Sequence, residues 1–281
     1  MHRILERTDV APETVMFIVE APLVARKAEP GHFVIIRIDD DGERIPLSLA
    51  GWDREKGTIR LIVQGIGYTT KKLNAMGVGD ALLDVVGPLG HRTEMPENDT
   101  LIVIGGGYGA GAVLPNAREA RAKGRRVIGI IGARSRDLVL VEDDMRAICD
   151  ETYVTTNDGS YGIKGFVTHA LEPLMQKETI GAILAVGPVP MMRAVSDMTR
   201  EKRIPTIVSL NAVMVDGTGM CGGCRVSVGG ETKFACFHGP DFDGHQVDYD
   251  ELVLRQKMYV SQEKMALDHF CKIDEQIAAM T

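Results

Sequence analysis

The chain has 281 residues, a length for about two domains and a smaller third, and its 44% hydrophobic and 25% charged residues are ordinary for a globular enzyme. The net charge of −7 argues against nucleic acid or an anionic membrane as the main partner. No stretch reaches the ~18 apolar residues of a membrane span, and residues 1–7 carry charges where a signal peptide would be apolar, so a cytoplasmic location is expected.

The first predicted domain, residues 1–97, consists of short strands separated by turn residues. Three runs, 14–19, 33–38 and 58–63, are rich in β-branched and other apolar residues, and Gly, Pro and Asp lie between them. Short, evenly spaced strands of this kind are typical of a small antiparallel barrel or sandwich. A short helix is expected over 70–75.

The second predicted domain covers residues 98–210 and has a different pattern of apolar residues. Apolar runs at 100–104, 126–132, 151–156 and 182–186 alternate with helical stretches. Continuous apolar runs indicate strands that are buried on both faces. The alternation therefore predicts a doubly wound parallel α/β sheet.

The third part, residues 211–250, is rich in Gly and Cys, and residues 251–281 are expected to form a helical tail. Cys221 and Cys224 form a Cys-x-x-Cys pair, and Cys236 follows twelve positions after Cys224. Glycines between paired cysteines let the backbone wrap tightly, so both thiolates can reach one metal. Such a cluster in a reducing compartment more often binds metal than forms disulfides.

A hairpin accounts for the third thiolate. Residues 225–228 and 233–236 flank Gly229 and Gly230, a pair that favours a tight reversal. The hairpin would bring Cys236 towards the Cys-x-x-Cys pair.

A [2Fe–2S] cluster needs a fourth ligand, which the local cysteines do not supply. Asp216 stands five residues before Cys221, where plant-type ferredoxins place a cysteine, and carboxylate oxygen can ligate iron. His238 and His245 are the rival ligands, because imidazole also ligates such clusters. The alternative metal is a tetrahedral zinc bound by the three cysteines with one Asp or His.

Two glycine-containing loops are candidates for nucleotide binding. Gly106, Gly107, Tyr108 and Gly109 follow a predicted buried strand and open a helix, where backbone N–H groups and the helix dipole favour a pyrophosphate. A second loop follows the strand at 182–186 and contains Gly187, Pro188 and Met191. Loops at the carboxyl edge of an open α/β sheet bind ligands, and this one could flank a nicotinamide ring.

The adenosine half of the nucleotide has its own candidates. Thr156 and Asp158 follow the third predicted strand of the α/β domain. Arg134 and Arg136 could meet a 2′-phosphate, although a solvated pair is the simpler interpretation.

The order of these parts, and the motif at 216–224, resemble the ferredoxin–NADP reductase superfamily over nearly the whole chain. The chain is similar to the branch that contains the electron-transfer subunits of dihydroorotate dehydrogenase B. It is most similar there to the small subunits of NADH-dependent ferredoxin:NADP oxidoreductases, in which the cluster motif also begins with Asp.

The resemblance implies FAD in the barrel domain and assigns residues to it. Ser48 would lie near the isoalloxazine ring. The superfamily places an Arg that contacts the flavin pyrophosphate three residues before this Ser; here that position is Ile45, and Arg44 stands one residue earlier. The implied flavin-binding residues, with the turn that joins the barrel to the nucleotide domain, are Pro46, Leu47, Ser48, Leu49, Gln64, Gly65, Gly67, Tyr68, Thr69, Thr70, Gly87 and Gly90.

The implied function is that of an oxidoreductase subunit. NADH would exchange a hydride with FAD, and the [2Fe–2S] cluster would relay single electrons to a larger iron–sulfur flavoprotein subunit in a heterodimer, within a flavin-based bifurcating complex. No catalytic acid or base is expected, since the protein positions and tunes its cofactors. The alternatives are a subunit that serves a dihydroorotate dehydrogenase and a zinc-containing, non-catalytic NAD-binding sensor.

Overall fold

The computed structural model describes residues 1–97 and 99–267. The first domain consists of antiparallel strands and two short helices. In chain order these are β1 (His2–Ala11), β2 (Thr14–Glu20), α1 (Pro22–Lys27), β3 (Phe33–Arg37), β4 (Ile45–Ser48), β5 (Gly51–Asp53), β6 (Thr58–Gln64), α2 (Tyr68–Asn74), β7 (Ala81–Leu82) and β8 (Asp84–Leu89).

These strands form two sheets, ordered β5-β6-β2-β1-β7 and β4-β3-β8. Alternate residues of β2 and β6, such as Phe17 and Leu61, point into a shared core because successive side chains of a strand face opposite sides. Among the described residues no strand is hydrogen-bonded to both sheets, so the predicted barrel is built as two antiparallel sheets around one core.

The second domain alternates strands and helices, as predicted. Its elements are β9 (Thr100–Gly106), α3 (Gly109–Ala122), β10 (Val127–Ala133), α4 (Glu142–Ile148), β11 (Glu151–Thr156), β12 (Ile163–Lys164), α5 (Val167–Lys177), β13 (Ile180–Val186), α6 (Val189–Arg200) and β14 (Thr206–Ser209), with a 3₁₀ turn at Arg136–Leu138.

The sheet of this domain has the order β12-β11-β10-β9-β13-β14, and all of these pairs are parallel. Every residue of β9 is buried, because helices cover both faces of the sheet. The strand order reverses between β9 and β13, and ligands of open α/β sheets bind at such a point. The loops after these two strands therefore occupy the expected position for a nucleotide.

The C-terminal segment is joined to the edge of the same sheet. Its elements are β15 (Arg225–Val228), β16 (Glu231–Phe234), α7 (Ala235–His238), β17 (Asp241–Asp243) and α8 (Tyr249–Gln256). β17 pairs antiparallel with β14 and becomes a seventh strand. The predicted hairpin is present, with Val228 opposite Glu231, but Cys236 lies in α7 rather than on the second strand.

The predicted helical tail is described only in part. α8 is followed by helical residues at 260–267, and 268–281, with Cys271, lie outside the described residues. No helix in the described part of the chain is long and apolar enough to cross a membrane.

Candidate functional site

A cavity of about 260 Å³ lies between the β-sheet domain and the α/β domain. One wall comes from β4 and β6, and the other from the loops after β9, β13 and β14. Among the residues predicted as binding residues, the cavity is lined by Pro46, Leu47, Ser48, Gln64, Thr70, Tyr108, Gly109 and Gly187. Sequence reasoning missed its apolar floor and far wall, which include Phe33, Ile62, Ser209, Asn211, Met214 and Pro240.

The position of β4 explains the first part of this wall. β4 is an edge strand that pairs with β3, with Leu47 opposite Val34 and Ser48 opposite Phe33. Its residues are half-buried or exposed on the cavity side. Leu49, by contrast, is 2% exposed and packs in the core of the β-sheet domain.

The turn from Gln64 to Thr70 is held by its own hydrogen bonds. The hydroxyl of Thr70 accepts from the backbone N–H groups of Ile66 and Gly67 at 3.1 and 3.0 Å. The hydroxyl of Thr69 donates to Glu43. Of the predicted residues in this turn, only Gln64 and Thr70 line the cavity; Gly65, Gly67, Tyr68 and Thr69 lie outside its lining.

The predicted joining turn meets the cluster segment rather than the cavity. Gly90 has a φ of +78°, and a Cβ there would lie 2.9 Å from Pro240 Cδ. A Cβ on Gly87 would lie 2.8 Å from Val34. Both glycines are therefore explained by close packing of neighbouring residues.

A second cavity, of about 550 Å³, opens at the carboxyl edge of the parallel sheet. The predicted nucleotide residues that line it are Gly106, Gly107, Tyr108, Pro188 and Met191. Gly107 has a φ of +55°, and no atom lies within 4 Å of the place where its Cβ would be. The backbone there is open to a ligand, as close approach of a pyrophosphate requires.

The residues predicted to bind the adenosine half, Thr156 and Asp158, do not line this cavity. Thr156 is buried, and its hydroxyl donates to the carbonyl of Tyr161 at 2.6 Å. The Asp158 carboxyl accepts from the hydroxyl and backbone N–H of Ser160, which hold its pKa below the ordinary value. Both side chains shape the loop, whereas the neighbouring Thr155 and Asn157 line the cavity.

The two predicted arginines also differ in placement. Arg134, at the end of β10, lines the nucleotide cavity. The Arg136 guanidinium carbon lies 5.3 Å from the ring centroid of Tyr161, a cation–π distance.

The two cavities share a wall. Gln64 and Tyr108 line both of them. Tyr108 is 40% exposed, and its hydroxyl accepts a long hydrogen bond of 3.5 Å from the Asn211 side chain. The two cavities are therefore neighbours, separated by these two side chains.

The three cysteines of the C-terminal segment are free thiols. Cys224 and Cys236 are buried and lie close together, whereas Cys221 is exposed. The Sγ atoms of Cys224 and Cys236 lie 3.2 Å apart, and both residues are buried. The backbone N–H of Cys236 donates to Cys224 Sγ at 3.5 Å, and that of Gly223 donates to Cys221 Sγ at 3.4 Å. Burial and the neighbouring Cys224 raise the pKa of Cys236 to about 12.

Asp216 organises the loop that carries Cys221. Its carboxyl accepts from the backbone N–H groups of Thr218, Met220 and Cys221 at 2.9, 3.0 and 2.7 Å. Burial opposes ionisation, but these bonds outweigh it and lower the pKa of Asp216. The carboxylate also interacts with the Cys221 thiol and acts electrostatically on Cys236.

The rival histidines are hydrogen-bonded to groups other than the thiols. His245 Nε2 lies 2.9 Å from the hydroxyl of Thr199 on α6. His238 Nδ1 accepts from the backbone N–H of Phe234 at 3.0 Å. Both histidines line a separate surface cavity, to which β17 also contributes.

The four predicted ligands are neighbours but are not gathered around one point. Over the described ranges, no three His, Cys, Asp or Glu side chains form a group that could bind a single metal ion. Three free thiols with backbone donors on their sulfurs nevertheless match the donor chemistry of an iron–sulfur cluster.

α8 contacts both the loop that carries Cys221 and Cys224 and the cavity between the two domains. Arg255 donates to the carbonyl of Gly223 at 3.1 Å. Gln256 Nε2 donates to the backbone and side-chain oxygens of Asn211 at 3.0 and 2.9 Å. The helix thus holds Asn211, which contacts Tyr108, and also holds Gly223, which lies between Cys221 and Cys224.

Comparison with known proteins agrees with this arrangement. The family model described as the iron–sulfur cluster binding domain of dihydroorotate dehydrogenase B matches residues 211–248. The chain is 41% identical to the homologue of the dihydroorotate dehydrogenase B (NAD(+)) electron transfer subunit of Thermotoga maritima, over 97% of this chain and 96% of that protein. It is 33% identical to the dihydroorotate dehydrogenase B (NAD(+)) electron transfer subunit of Geobacillus thermodenitrificans, over 85% and 94%.

Among solved structures, the fold matches a chain from a study of flavin-based electron bifurcation in an NADH-dependent reduced ferredoxin-NADP oxidoreductase. The TM-score is 0.91 and the identity 40%, and the match covers 96% of this chain and 98% of that chain.

Proposed function

The chain belongs to the family of dihydroorotate dehydrogenase B electron-transfer subunits and their homologues, and we propose that it moves electrons between NAD(H), FAD and a [2Fe–2S] cluster. The observation that carries this proposal is the shared wall of Gln64 and Tyr108 between two cavities. A flavin ring in one cavity and a nicotinamide ring in the other would both lie against these two side chains, close to one another, as hydride exchange requires once the rings meet.

The flavin would occupy the cavity between the two domains. Pro46, Leu47 and Ser48 form its wall in the β-sheet domain. Gln64 and Thr70 line the end of the cavity next to the turn before α2. The lining is mainly apolar with a few polar groups, which suits an isoalloxazine ring. When bound, FAD accepts a hydride and releases single electrons.

The nicotinamide dinucleotide would bind at the carboxyl edge of the parallel sheet. The open backbone at Gly107 and the start of α3 provide for the pyrophosphate. Pro188 and Met191 after β13 would flank the nicotinamide, and Thr155, Asn157 and Arg134 lie towards the adenosine side.

The cluster would be held by Cys221, Cys224 and Cys236, with Asp216 as the fourth ligand. Asp216 is favoured over His238 and His245 because its carboxylate lies beside the Cys221 thiol, whereas both histidines face another cavity. Metal binding would have to deprotonate the Cys236 thiol, whose pKa is high without metal, so loading should release protons.

The partner would be a larger iron–sulfur flavoprotein subunit, with which the chain forms a heterodimer within an NADH-dependent ferredoxin:NADP oxidoreductase complex. The 40% identity to a chain of such an enzyme extends over nearly the full length of both. Apolar side chains are exposed around the cluster loop, with Val215 at 52%, Met220 at 88% and Phe237 at 54%, as a protein partner would require. A subunit that serves a dihydroorotate dehydrogenase is the second candidate, supported by the names of the relatives.

The deciding experiment is a visible spectrum of the anaerobically purified protein, with FAD, iron, sulfide and zinc quantified together. One FAD with two irons and two sulfides, and bleaching of the flavin by NADH, is the expected result. Zinc without flavin would overturn the proposal in favour of a nucleotide sensor.

A further inference from the structure

Arg44 connects the flavin side of the site to the cluster loop. Its Nε atom donates to the carbonyl of Val215 at 3.2 Å, and one of its terminal nitrogens donates to the carbonyl of Asp216 at 3.4 Å. These bonds join residues more than 170 positions apart in the sequence. Both partners are backbone carbonyls of the loop that leads to Cys221.

On one side of this connection lies the flavin-side cavity. Arg44 immediately precedes β4, whose Pro46, Leu47 and Ser48 line that cavity. Adjacent side chains of an extended chain point to opposite faces. Ile45 and Leu47 pack against the core of the β-sheet domain, so Arg44 lies on the same side of the chain as Pro46 and Ser48.

On the other side lies the loop that carries Cys221. The backbone carbonyl of Asp216 accepts from Arg44, while its carboxylate accepts from the backbone N–H of Cys221. Gly217 fits the same loop closely against the β-sheet domain, since a Cβ there would lie 2.7 Å from Ile35 Cγ1. Two successive hydrogen-bonded steps thus connect the start of β4 with a cysteine.

We propose that Arg44 is a positioning residue that fixes the cluster loop to the flavin-lining strand. The inference rests on the proposed function, because its role is to hold two cofactor sites at a constant separation. Electron transfer depends on such a separation, and a bidentate guanidinium is well suited to hold two carbonyls in a fixed geometry.

The first test uses the full-length protein without a cluster and measures amide hydrogen exchange at Thr218, Met220 and Cys221. Arg44→Gln should speed exchange at these amides roughly fivefold, since a charged hydrogen bond contributes about 1 kcal/mol at an exposed site. Arg44→Lys keeps the charge but loses the two-carbonyl geometry, and should show most of the same increase. Arg54→Gln is the matched control, because Arg54 also donates to a backbone carbonyl, that of Ala28, far from the cluster loop.

The second test uses protein loaded with FAD and cluster. Arg44→Gln should keep its FAD content and alter the EPR signal of the reduced cluster or lower its iron content, with Arg54→Gln unchanged. Loss of FAD with unchanged exchange at 218–221 would assign Arg44 to the flavin and overturn the inference, as would no change in either measurement. If the wild-type protein takes up no cluster, the proposed function fails, while the exchange result still decides whether Arg44 fixes the loop.

Discussion

The hydroxyl of Tyr108 lies 3.5 Å from the side-chain nitrogen of Asn211, so the nucleotide loop meets the first residue of the cluster segment. Asn211 is itself held by Gln256 of α8 through two hydrogen bonds. Tyr108 also lines both cavities. Its position is therefore set from the cluster side of the molecule as well as by its own loop.

Replacing Tyr108 with Ala should weaken NADH binding to the flavin-loaded protein about tenfold. The ring is a shared wall of the two cavities, and removing a partly buried aromatic ring costs about 1.5 kcal/mol. Tyr108→Phe keeps the ring and loses only the long contact to Asn211, so it should stay within about twofold of wild type. Calorimetric titration measures both; equal affinities for wild type and Tyr108→Ala would show that the ring does not contact the nucleotide.

Gly106→Ala should destabilise the nucleotide domain by about 1–3 kcal/mol, the usual cost of overpacking. Its Cβ would overlap the sulfur of Met191 and lie 3.1 Å from Pro188 Cδ, so the loop after β13 would have to move. Gly77→Ala is the control, because its nearest neighbour would be 3.8 Å away. Chemical denaturation gives both values, and equal stabilities of the two variants would contradict the expected clash.

Asp216→Ala should lower the iron content of the reconstituted protein and change the cluster EPR signal. The variant removes a proposed ligand and leaves three backbone N–H groups without their acceptor. Asp216→Asn keeps a side-chain oxygen that can accept hydrogen bonds from the loop but removes the negative charge. It therefore distinguishes the effect of the loop geometry from the effect of the ligand charge. His245→Ala is the control and should retain its iron; loss of iron in that variant alone would transfer the fourth ligand to His245.

Asp241→Asn should make the protein less sensitive to pH. Burial raises the pKa of the Asp241 carboxyl from 3.8 to about 6, against the hydrogen bond from Thr93. A raised folded-state pKa means that wild type loses stability as pH rises from about 4 through 6, since the unfolded carboxyl ionises more easily. The variant should gain up to about 3 kcal/mol over wild type at pH 7 and little at pH 4.

Urea denaturation at the two pH values measures this difference. Asp243→Asn, a change to an exposed residue of the same strand, should show little pH-dependent gain. An equal gain in both variants would trace the effect to net charge rather than to the buried carboxyl.

The sequence predicted the α/β domain closely because its strands are continuous apolar runs. The predicted strand at 151–156 coincides with β11, and the other three lie within two residues of β9, β10 and β13. β1 was missed, since Ile4 is its only fully buried residue and charged side chains dominate the rest. Whether the first domain forms a closed barrel or two separate sheets could not be decided from the sequence, because strand pairing across distant residues has no local signature.

Within the site, residues at the ends of predicted strands were identified better than residues in turns. Tyr108, Gly107 and Met191 line the nucleotide cavity because they follow buried strands. Thr156 ends β11 and Asp158 follows it, yet their side chains bond within the loop after that strand. The strand-end rule applied to β10 could have added Gly132 and Ala133, whereas Asn211 depends on how the third segment folds back and has no such signal.

The hydrogen bonds from α8 also determine when the site can be completed during synthesis. During synthesis, residues 211 and 223 are added before Arg255 and Gln256, yet those two later side chains hold Asn211 and Gly223 in place. Neither the flavin-side wall nor the loop between the cysteines can reach its final form on a nascent chain that ends at the hairpin. Insertion of the redox groups into their finished sites must therefore follow translation of α8.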